Sequence, residues 1–204
     1  MKKILILTLI IATASSSYCQ ESENDFAEYG VRVALSPFGL TLSSSYNKTK
    51  KTAFILSVGG IPESKSLITP KIENFNELEM ISESTWMGFF VHHRPFEKQD
   101  WVRINFGLAI GYIEHSLNDG TMGGDYKVMY KNPPSGYLGI GFGQSPNKGI
   151  VFGADFGLLF GSGPEITGPD ITTPATIEKI ENIKNSPVGS VVLPNFQFSI
   201  GYNF

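Results

Sequence analysis

The sequence predicts an all-β chain that folds as an eight-stranded antiparallel up-and-down transmembrane β-barrel. Three observations lead to this fold class. Eight segments alternate bulky apolar residues with small or polar ones, as strands with two different faces do. After the first twenty residues, no apolar stretch approaches the roughly 20 residues that a membrane-spanning helix needs. The predicted turns are mostly short at one end of the strands and long at the other, which is typical of membrane barrels.

The last eleven residues, PNFQFSIGYNF, show the clearest alternation. One face carries only bulky apolar side chains, which are Phe196, Phe198, Ile200, Tyr202 and Phe204. The opposite face carries Asn195, Gln197, Ser199, Gly201 and Asn203. The length suits a tilted membrane-spanning strand of roughly 9–11 residues. We expect this segment to be the eighth strand and to close the ring by pairing with residues 29–36.

The other strands and their connections follow from the same alternation. The seven further predicted strands cover residues 29–36, 40–46, 53–59, 85–93, 102–112, 137–143 and 149–161. The fourth has the weakest pattern, because Trp86 and Phe90 oppose Met87, Phe89 and Val91. Three long segments are predicted as loops, namely residues 60–82, 115–134 and 162–193. Within the last loop, residues 176–185 fit a short amphipathic helix through Ile177, Ile180 and Ile183.

The direction of the two faces decides between a membrane barrel and a soluble, lipocalin-like barrel. A soluble barrel points its large apolar side chains inward, and a membrane barrel points them outward. In the last four strands, the face opposite the bulky residues carries Gly, Ala, Asn, Ser, Gln and single charges, which suits a narrow lumen. We therefore expect the following apolar residues to point outward: Phe106, Ile110, Phe152, Phe156 and Phe198.

Three charged residues, Arg32, Arg103 and Asp155, fall on the predicted inward face. An unpaired charge there would be costly to bury, so we expect Asp155 to pair with Arg103 or Arg32 and to plug the lumen. The alternative is that these side chains meet water at the barrel ends. Aromatic residues near the strand ends fit a girdle at the membrane surfaces: Tyr29, Tyr46, Trp101, Tyr112, Tyr202 and Phe204.

Residues 1–19 read as a secretory signal peptide and residues 20–204 as one barrel domain. Lys2 and Lys3 precede the apolar run Ile4–Ala12, and small polar residues follow. Cleavage fits best after Cys19. Lipidation of Cys19, the only cysteine, is the alternative, although Tyr18 is bulky where a lipobox needs a small residue.

The charge balance gives no sign of nucleic-acid binding. Without the two signal lysines, 14 Lys and Arg residues stand against 19 Asp and Glu residues, and no basic patch with interleaved aromatic residues occurs.

Candidate chemical motifs are weak. The run Gly139–Gly143 lacks the spacing of a dinucleotide-binding loop, and strand glycines facing a crowded lumen explain it better. His92 and His93 are adjacent, so on a strand they point to opposite faces and cannot share a metal ion. Asp119 and Asp125 lack the spacing of a calcium loop, which makes a surface loop the better interpretation. The sequence predicts no metal or cofactor site.

The triplet Glu114-His115-Ser116 raises the possibility of an outer-membrane lipid-modifying enzyme. Neighbouring residues on a strand diverge, which would spoil a hydrogen bond between a serine nucleophile and a histidine base. We therefore predict no catalytic residues.

Residues 137–166 resemble a known group of proteins. The sequence runs YLGIGFG, then PNKG, then FGADFGLLF, and then a loop with PEI. It resembles the OmpW/OmpX-like small outer-membrane β-barrel proteins of Gram-negative bacteria, a porin-like family of the cell envelope. The terminal Phe204, with Tyr202, Ile200 and Phe198 before it, resembles the signal that the barrel-assembly machinery recognises.

The resemblance implies a monomer in the outer membrane whose partners are membrane lipid, lipopolysaccharide and the assembly machinery, without a cofactor. It implies a structural, adhesive or small-solute role. The alternatives are the lipid-modifying enzyme and a secreted, soluble lipocalin-like carrier.

Overall fold

The computed structural model describes residues 25–66, 69–75, 78–120, 124–131, 135–169 and 173–204. The predicted signal peptide, Cys19 and the start of the barrel domain at residue 20 lie outside these residues. The described residues form one helix, α1 (Pro174–Lys184), a 3-10 turn at Pro187–Gly189, and ten strands. The strands are β1 (Tyr29–Ser36), β2 (Gly39–Asn47), β3 (Thr52–Lys65), β4 (Leu78–His93), β5 (Val102–Asp119), β6 (Asp125–Lys131), β7 (Ser135–Gly143), β8 (Gly149–Phe160), β9 (Glu165–Thr167) and β10 (Val192–Asn203).

Eight of the strands form a closed antiparallel ring. The order around it is β1, β2, β3, β4, β5, β7, β8 and β10, and β10 pairs with β1 to close it. Each strand therefore pairs with its neighbours in chain order, and the eight-stranded up-and-down prediction is confirmed. The closing pair has Val33 opposite Ile200, so the register places the apolar faces of both strands on the same side.

The bulky apolar residues of the ring point outward. The five side chains that distinguish the two kinds of barrel, Phe106, Ile110, Phe152, Phe156 and Phe198, are between 45% and 60% exposed. On the inward faces, Arg103 is 1% exposed and Asp155 is 6% exposed. This is the reverse of a soluble barrel with an apolar interior, so the lipocalin-like alternative does not describe this molecule.

The prediction of three long loops was wrong in large part. Strand β3 continues to Lys65, β4 begins at Leu78, and β5 runs on to Asp119. Strand β6 pairs with the end of β5, and β9 pairs with β6. The alternation continues in these segments, but the two faces exchange their polarity. The outward face now carries cross-strand ion pairs, which are Lys65–Glu79 (2.6 Å), Lys127–Glu114 (2.9 Å) and Lys131–Glu165 (2.9 Å).

The inward face of these extensions packs against residues from the connecting segments and forms an apolar core. It contains the buried side chains Ile72, Met80, Leu117, Tyr126, Val128, Ile183 and Val188. We call this part the cap, and define it as residues 61–65, 69–75, 78–84 and 113–119 with β6, β9, α1 and the 3-10 turn at Pro187–Gly189. The cap extends from one end of the ring and has the polarity of a water-soluble protein, charged outside and apolar inside.

Helix α1 agrees with the predicted helix at 176–185 and begins two residues earlier. The Thr173 side chain accepts a hydrogen bond from the Thr176 amide, which caps the first turn. Ile183 is fully buried in the cap, whereas Ile177, which was expected on the same face, is 55% exposed. None of the helices in the described part of the chain is long and apolar enough to cross a membrane.

The cap core predicts a local effect of the substitution Leu117→Ala. Leu117 is fully buried, so the cavity should cost about 2–5 kcal/mol of cap stability. We expect amide hydrogen exchange to accelerate in β6 and in the cap part of β5, while the ring stays protected. Leu108→Ala on the same strand is the matched control, because Leu108 is 59% exposed on the outward face. Equal exchange in the two variants would contradict a separate cap core.

Candidate functional site

The centre of the lumen holds a buried ion pair. Arg103 on β5 donates through Nη2 to both carboxylate oxygens of Asp155 on β8, at 2.8 and 3.0 Å. The Asn105 side-chain amide also donates to Asp155. The register aligns Arg103 and Asp155 with the same residue, Gly141 on the intervening strand β7. The carboxylate thus has three hydrogen bonds, which offset the cost of burying it.

Glycines make room for this pair. A Cβ atom on Gly141 would lie 2.3 Å from Asp155 Oδ1 and 2.5 Å from Arg103 Nε. A Cβ atom on Gly143 would lie 2.7 Å from Arg103 Nη1. The run Gly139–Gly143 lies entirely within β7, away from any turn into a helix. Its glycines therefore clear space for lumen side chains, as the sequence suggested.

Arg32 remains apart from the ion pair. It lies on β1 and lines the lumen cavity. Asp155 forms its ion pair with Arg103, and Arg32 has no ion pair within the described ranges. Its Nε atom is buried and has no hydrogen-bond partner there. Of the two pairings that the sequence left open, the structure shows Arg103 with Asp155.

Sequence reasoning missed a third arginine. Arg94 directly follows the predicted strand 85–93, and it is only 2% exposed at the end of β4. Its Nη2 atom donates to the Gln144 carbonyl at 3.0 Å, while Nε and Nη1 have no partner among the described residues. The sequence did contain a signal for this position. Arg94 follows Phe90 and His92 at intervals of two, so it continues the inward face of the strand.

The remaining polar candidates do not assemble into a metal site. His92 lines the cavity, whereas exposed His93 lies within hydrogen-bond distance of Thr52 (Nδ1 to Oγ1, 3.1 Å). In the cap, buried Asp119 pairs with Lys179, and exposed Asp125 accepts a hydrogen bond from Asn118. No group of three His, Cys, Asp or Glu side chains that could hold a metal ion occurs within the described ranges.

The mouth opposite the cap is covered by residues 25–28. The Ala27 amide donates to the Pro146 carbonyl at 2.8 Å, and the Ala27 carbonyl accepts from the Asn47 side chain at 2.8 Å. The Lys148 amide donates to the Asp25 carbonyl, also at 2.8 Å. Ala27 is completely buried. This segment therefore crosses the mouth and joins β2 to the turn between β7 and β8.

Toward the cap, the lumen is narrowed by aromatic side chains. The Phe38 carbonyl, in the turn between β1 and β2, accepts hydrogen bonds from Trp86 Nε1 (3.1 Å) and Ser84 Oγ (2.8 Å). The Trp86 ring contacts Phe90 edge-on, and Phe90 contacts Tyr137 in the same way, with ring centroids 6.5 and 5.5 Å apart. A cavity of about 120 Å³ is lined by these three aromatic residues and by Arg32.

The triplet Glu114-His115-Ser116 does not act as a unit. Glu114 pairs with Lys127 on the outward face. His115 points inward, and its Nδ1 lies 2.9 Å from Ser82 Oγ on the paired strand β4. Neither Ser82 nor His115 lines the lumen cavity. Burial in the cap lowers the pKa of His115 from 6.5 to about 4, so the ring is neutral at pH 7.

Aromatic side chains surround the mouth opposite the cap on the outside. The Tyr29 ring is tilted against Tyr46 and stacked on Phe204, at ring-centroid distances of 5.6 and 6.3 Å. Tyr202 and Trp101 are also exposed at this end, whereas Tyr112 lies within β5, just before the cap, and its hydroxyl donates to Glu83. The four residues expected to form an assembly signal all point outward: Phe198, Ile200, Tyr202 and Phe204.

Comparisons with known proteins bear on the fold. No protein-family model matches the chain, and no curated protein matches its sequence. Among solved structures, CarO of Acinetobacter baumannii is similar, with a TM-score of 0.65 and 13% identity over 91% of this chain and 100% of that one. CarO2 of the same organism has a TM-score of 0.62 and 11% identity over 89% and 100%.

A major outer membrane protein of Thermus thermophilus has a TM-score of 0.52 and 10% identity, over 87% of this chain and 99% of that one. At these identities the likeness concerns the fold alone. The chain shares the barrel architecture of these outer-membrane proteins.

The glycines beside the ion pair predict a strong effect of Gly141→Val. The new side chain would overlap Asp155 and Arg103, and breaking a buried ion pair costs roughly 3–5 kcal/mol. We expect a lower midpoint of urea unfolding in lipid vesicles. Gly136→Val on the same strand is the control, because a Cβ atom there meets nothing within 4 Å. An unchanged midpoint for Gly141→Val would refute the close packing of the lumen.

His115 predicts that the cap loses stability in acid. Its pKa is about 4 in the folded cap and 6.5 when exposed, so the opened state binds a proton first as the pH falls. We expect about 3 kcal/mol of cap stability to disappear between pH 6.5 and pH 4, with no further loss from this group at lower pH. Hydrogen exchange of β6 amides measures it, and His115→Gln should flatten the dependence. A cap that became more stable in that range, or a dependence that survived His115→Gln, would exclude this role.

Proposed function

We propose that the protein resides in an outer membrane, where the ring anchors the cap at the cell surface for a structural or adhesive role. In this proposal the lumen is not a pore for solutes. The cap faces the outside, and residues 25–28 face the periplasm.

The exposed apolar face of the ring supports the membrane location. Leu35, Ile150 and Phe198 are each at least 60% exposed, and similar side chains surround the ring. Contact with hydrocarbon stabilises such a surface by about 25 cal/mol per Å² relative to water. The closed ring also satisfies the backbone hydrogen bonds that a lipid environment leaves without water. The similar solved structures include a protein named as a major outer membrane protein, in agreement with this location.

The closed lumen is the observation that carries the proposed role. The Arg103–Asp155 pair fills the centre, residues 25–28 cover one mouth, and the aromatic residues with the turn at Phe38 narrow the other. The cap, by contrast, is large and has a charged outer surface. An anchor that displays a surface fits this distribution better than a channel does.

The proposal includes three partners. Membrane lipid would contact the apolar face, and lipopolysaccharide would surround the charged base of the cap. The outward aromatic residues of β10 would be recognised by the barrel-assembly machinery after export and removal of residues 1–19. A complete ring leaves no free strand edge in its wall, which supports a monomer.

We propose no catalytic role. Within the described ranges, the Ser82–His115 hydrogen bond is the nearest approach to a nucleophile and its base, but these side chains lie in the cap and do not line the cavity.

Reconstitution tests the anchor. We expect purified protein in vesicles to resist extraction by urea and to migrate differently on a gel before and after heating. In planar bilayers the same preparation should give no discrete conductance steps, because the lumen is obstructed. Steps in the wild-type recordings would reject the anchor in favour of a small-solute role. Release of the protein by urea alone would reject the membrane location.

A further inference from the structure

We propose that the lumen cavity is a binding site for a small aromatic carboxylate. Arg32 would hold the carboxylate, and Trp86, Phe90 and Tyr137 would contact the ring. This inference goes beyond the anchoring role and does not depend on it.

Arg32 supplies the cationic end of the site. Its position is constrained, because a Cβ atom on the facing Gly201 would lie 2.4 Å from Arg32 Cγ. The guanidinium lines the cavity, and within the described residues it has neither an ion pair nor a hydrogen-bond partner for Nε. Arg32 is half-buried with its Nε atom withdrawn from water, which is costly without a partner, and a carboxylate matches the planar donor geometry of a guanidinium. The site therefore favours an anion.

The surrounding charges strengthen this preference. Asp155 is the one carboxylate among the described residues that line the cavity, and its oxygens already accept from Arg103 and Asn105. Arg94 adds a further positive charge toward the far mouth. Arg32 and Arg103 thus share Asp155, while Arg94 lies within the electrostatic reach of Asp100. A small anion would reduce the excess positive charge.

The aromatic residues supply the other end of the site. Trp86 is held by its hydrogen bond to the Phe38 carbonyl, and its ring lies against Gly59, where a Cβ atom would be only 2.8 Å from the ring. Phe90 and Tyr137 continue the aromatic wall. Edge-on contacts of this kind are favourable and hold the rings in place. A flat apolar group fits this wall.

The size and position of the cavity restrict the ligand. About 120 Å³ is far below the 300–1,000 Å³ of pockets for drug-sized molecules, so a single ring with one carboxylate is the expected scale. The cavity reaches the cap end of the ring at Ser135, Gly161 and Val191. Entry is therefore from the cap side, because residues 25–28 cover the opposite mouth.

Fluorescence of Trp86 provides the test. The chain has two tryptophans, so Trp101→Phe leaves Trp86 as the reporter inside the cavity. Folded protein in a non-ionic detergent is titrated with benzoate, with neutral benzamide, and with acetate and inorganic phosphate as anions without a ring. We expect saturable binding of benzoate and at least tenfold weaker binding of the other three.

Variants assign the contacts. Arg32→Gln should abolish benzoate binding, and Arg32→Lys, which keeps the charge but loses the fork of donors, should weaken it several-fold. Lys148→Gln, an exposed charge at the far mouth, is the matched control and should bind normally. If Arg32→Gln does not fold, as judged by heat-modifiable migration, Arg32→Lys decides.

Several results would overturn the proposal. They are no saturable benzoate binding, benzamide binding as tightly as benzoate, and normal binding by the decisive Arg32 variant. Acetate or phosphate binding as tightly as benzoate would remove the aromatic part of the assignment and leave only a general anion site.

Discussion

The hydrogen bonding between β1 and β10 is the constraint on which the rest of the structure depends. Without this pairing the sheet would have two open edges, and in hydrocarbon each unpaired backbone group would cost several kcal/mol. The register of the pair, with Val33 opposite Ile200, also decides which side chains point into the ring. A shift by one residue would move Arg32 to the outside if β1 slipped, or Phe198 to the inside if β10 slipped. The pairing that closes the ring therefore also determines which side chains of these two strands point inward.

The two long central strands serve two different surroundings. In its first half, β5 exposes Phe106, Leu108 and Ile110 on the outward face, and in its second half it buries Leu117 on the inward one. Strand β4 changes in the same way between Phe89, which is exposed, and Met80, which is buried. The backbone continues without interruption through the change. One sheet can thus be a membrane wall at one level and the wall of an apolar core at the next.

This exchange of polarity explains why the ring strands could be predicted from the sequence and their extensions could not. The eight ring strands and their outward faces could be read from residues such as Phe152 and Phe198, because the same alternation recurs in each strand. The extensions have the composition of loops, because their outward residues, such as Glu79 and Lys127, are charged and their apolar residues lie on the other face. Arg94 was missed for a related reason: it lies beside a turn, and only the three-dimensional position of Gln144 shows that it is buried.

The pairing in the lumen was open from sequence alone. Arg103 and Arg32 both fall on the inward faces of their strands, as Asp155 does. The alternation along each strand does not say which inward side chains come within reach of one another inside the ring. Gly141 settles the choice physically, because it separates Arg103 from Asp155 by a single strand without a side chain. The composition of the inward faces indicates a crowded lumen. Which arginine pairs with Asp155 depends on the order of the strands around the ring and on their register.

Residues 25–28 have a consequence for the order in which the molecule forms. Their contacts with Pro146 and Lys148 require the hairpin of β7 and β8, and β1, which follows them directly, must also meet β10. These pairings join distant parts of the chain, and forming them costs loop-closure entropy. We therefore expect them to form late in folding. Until then, water can still reach Arg94 and Arg103 from that mouth. The guanidinium groups therefore keep their hydration while the strands assemble, and the cost of dehydrating them falls on the final step.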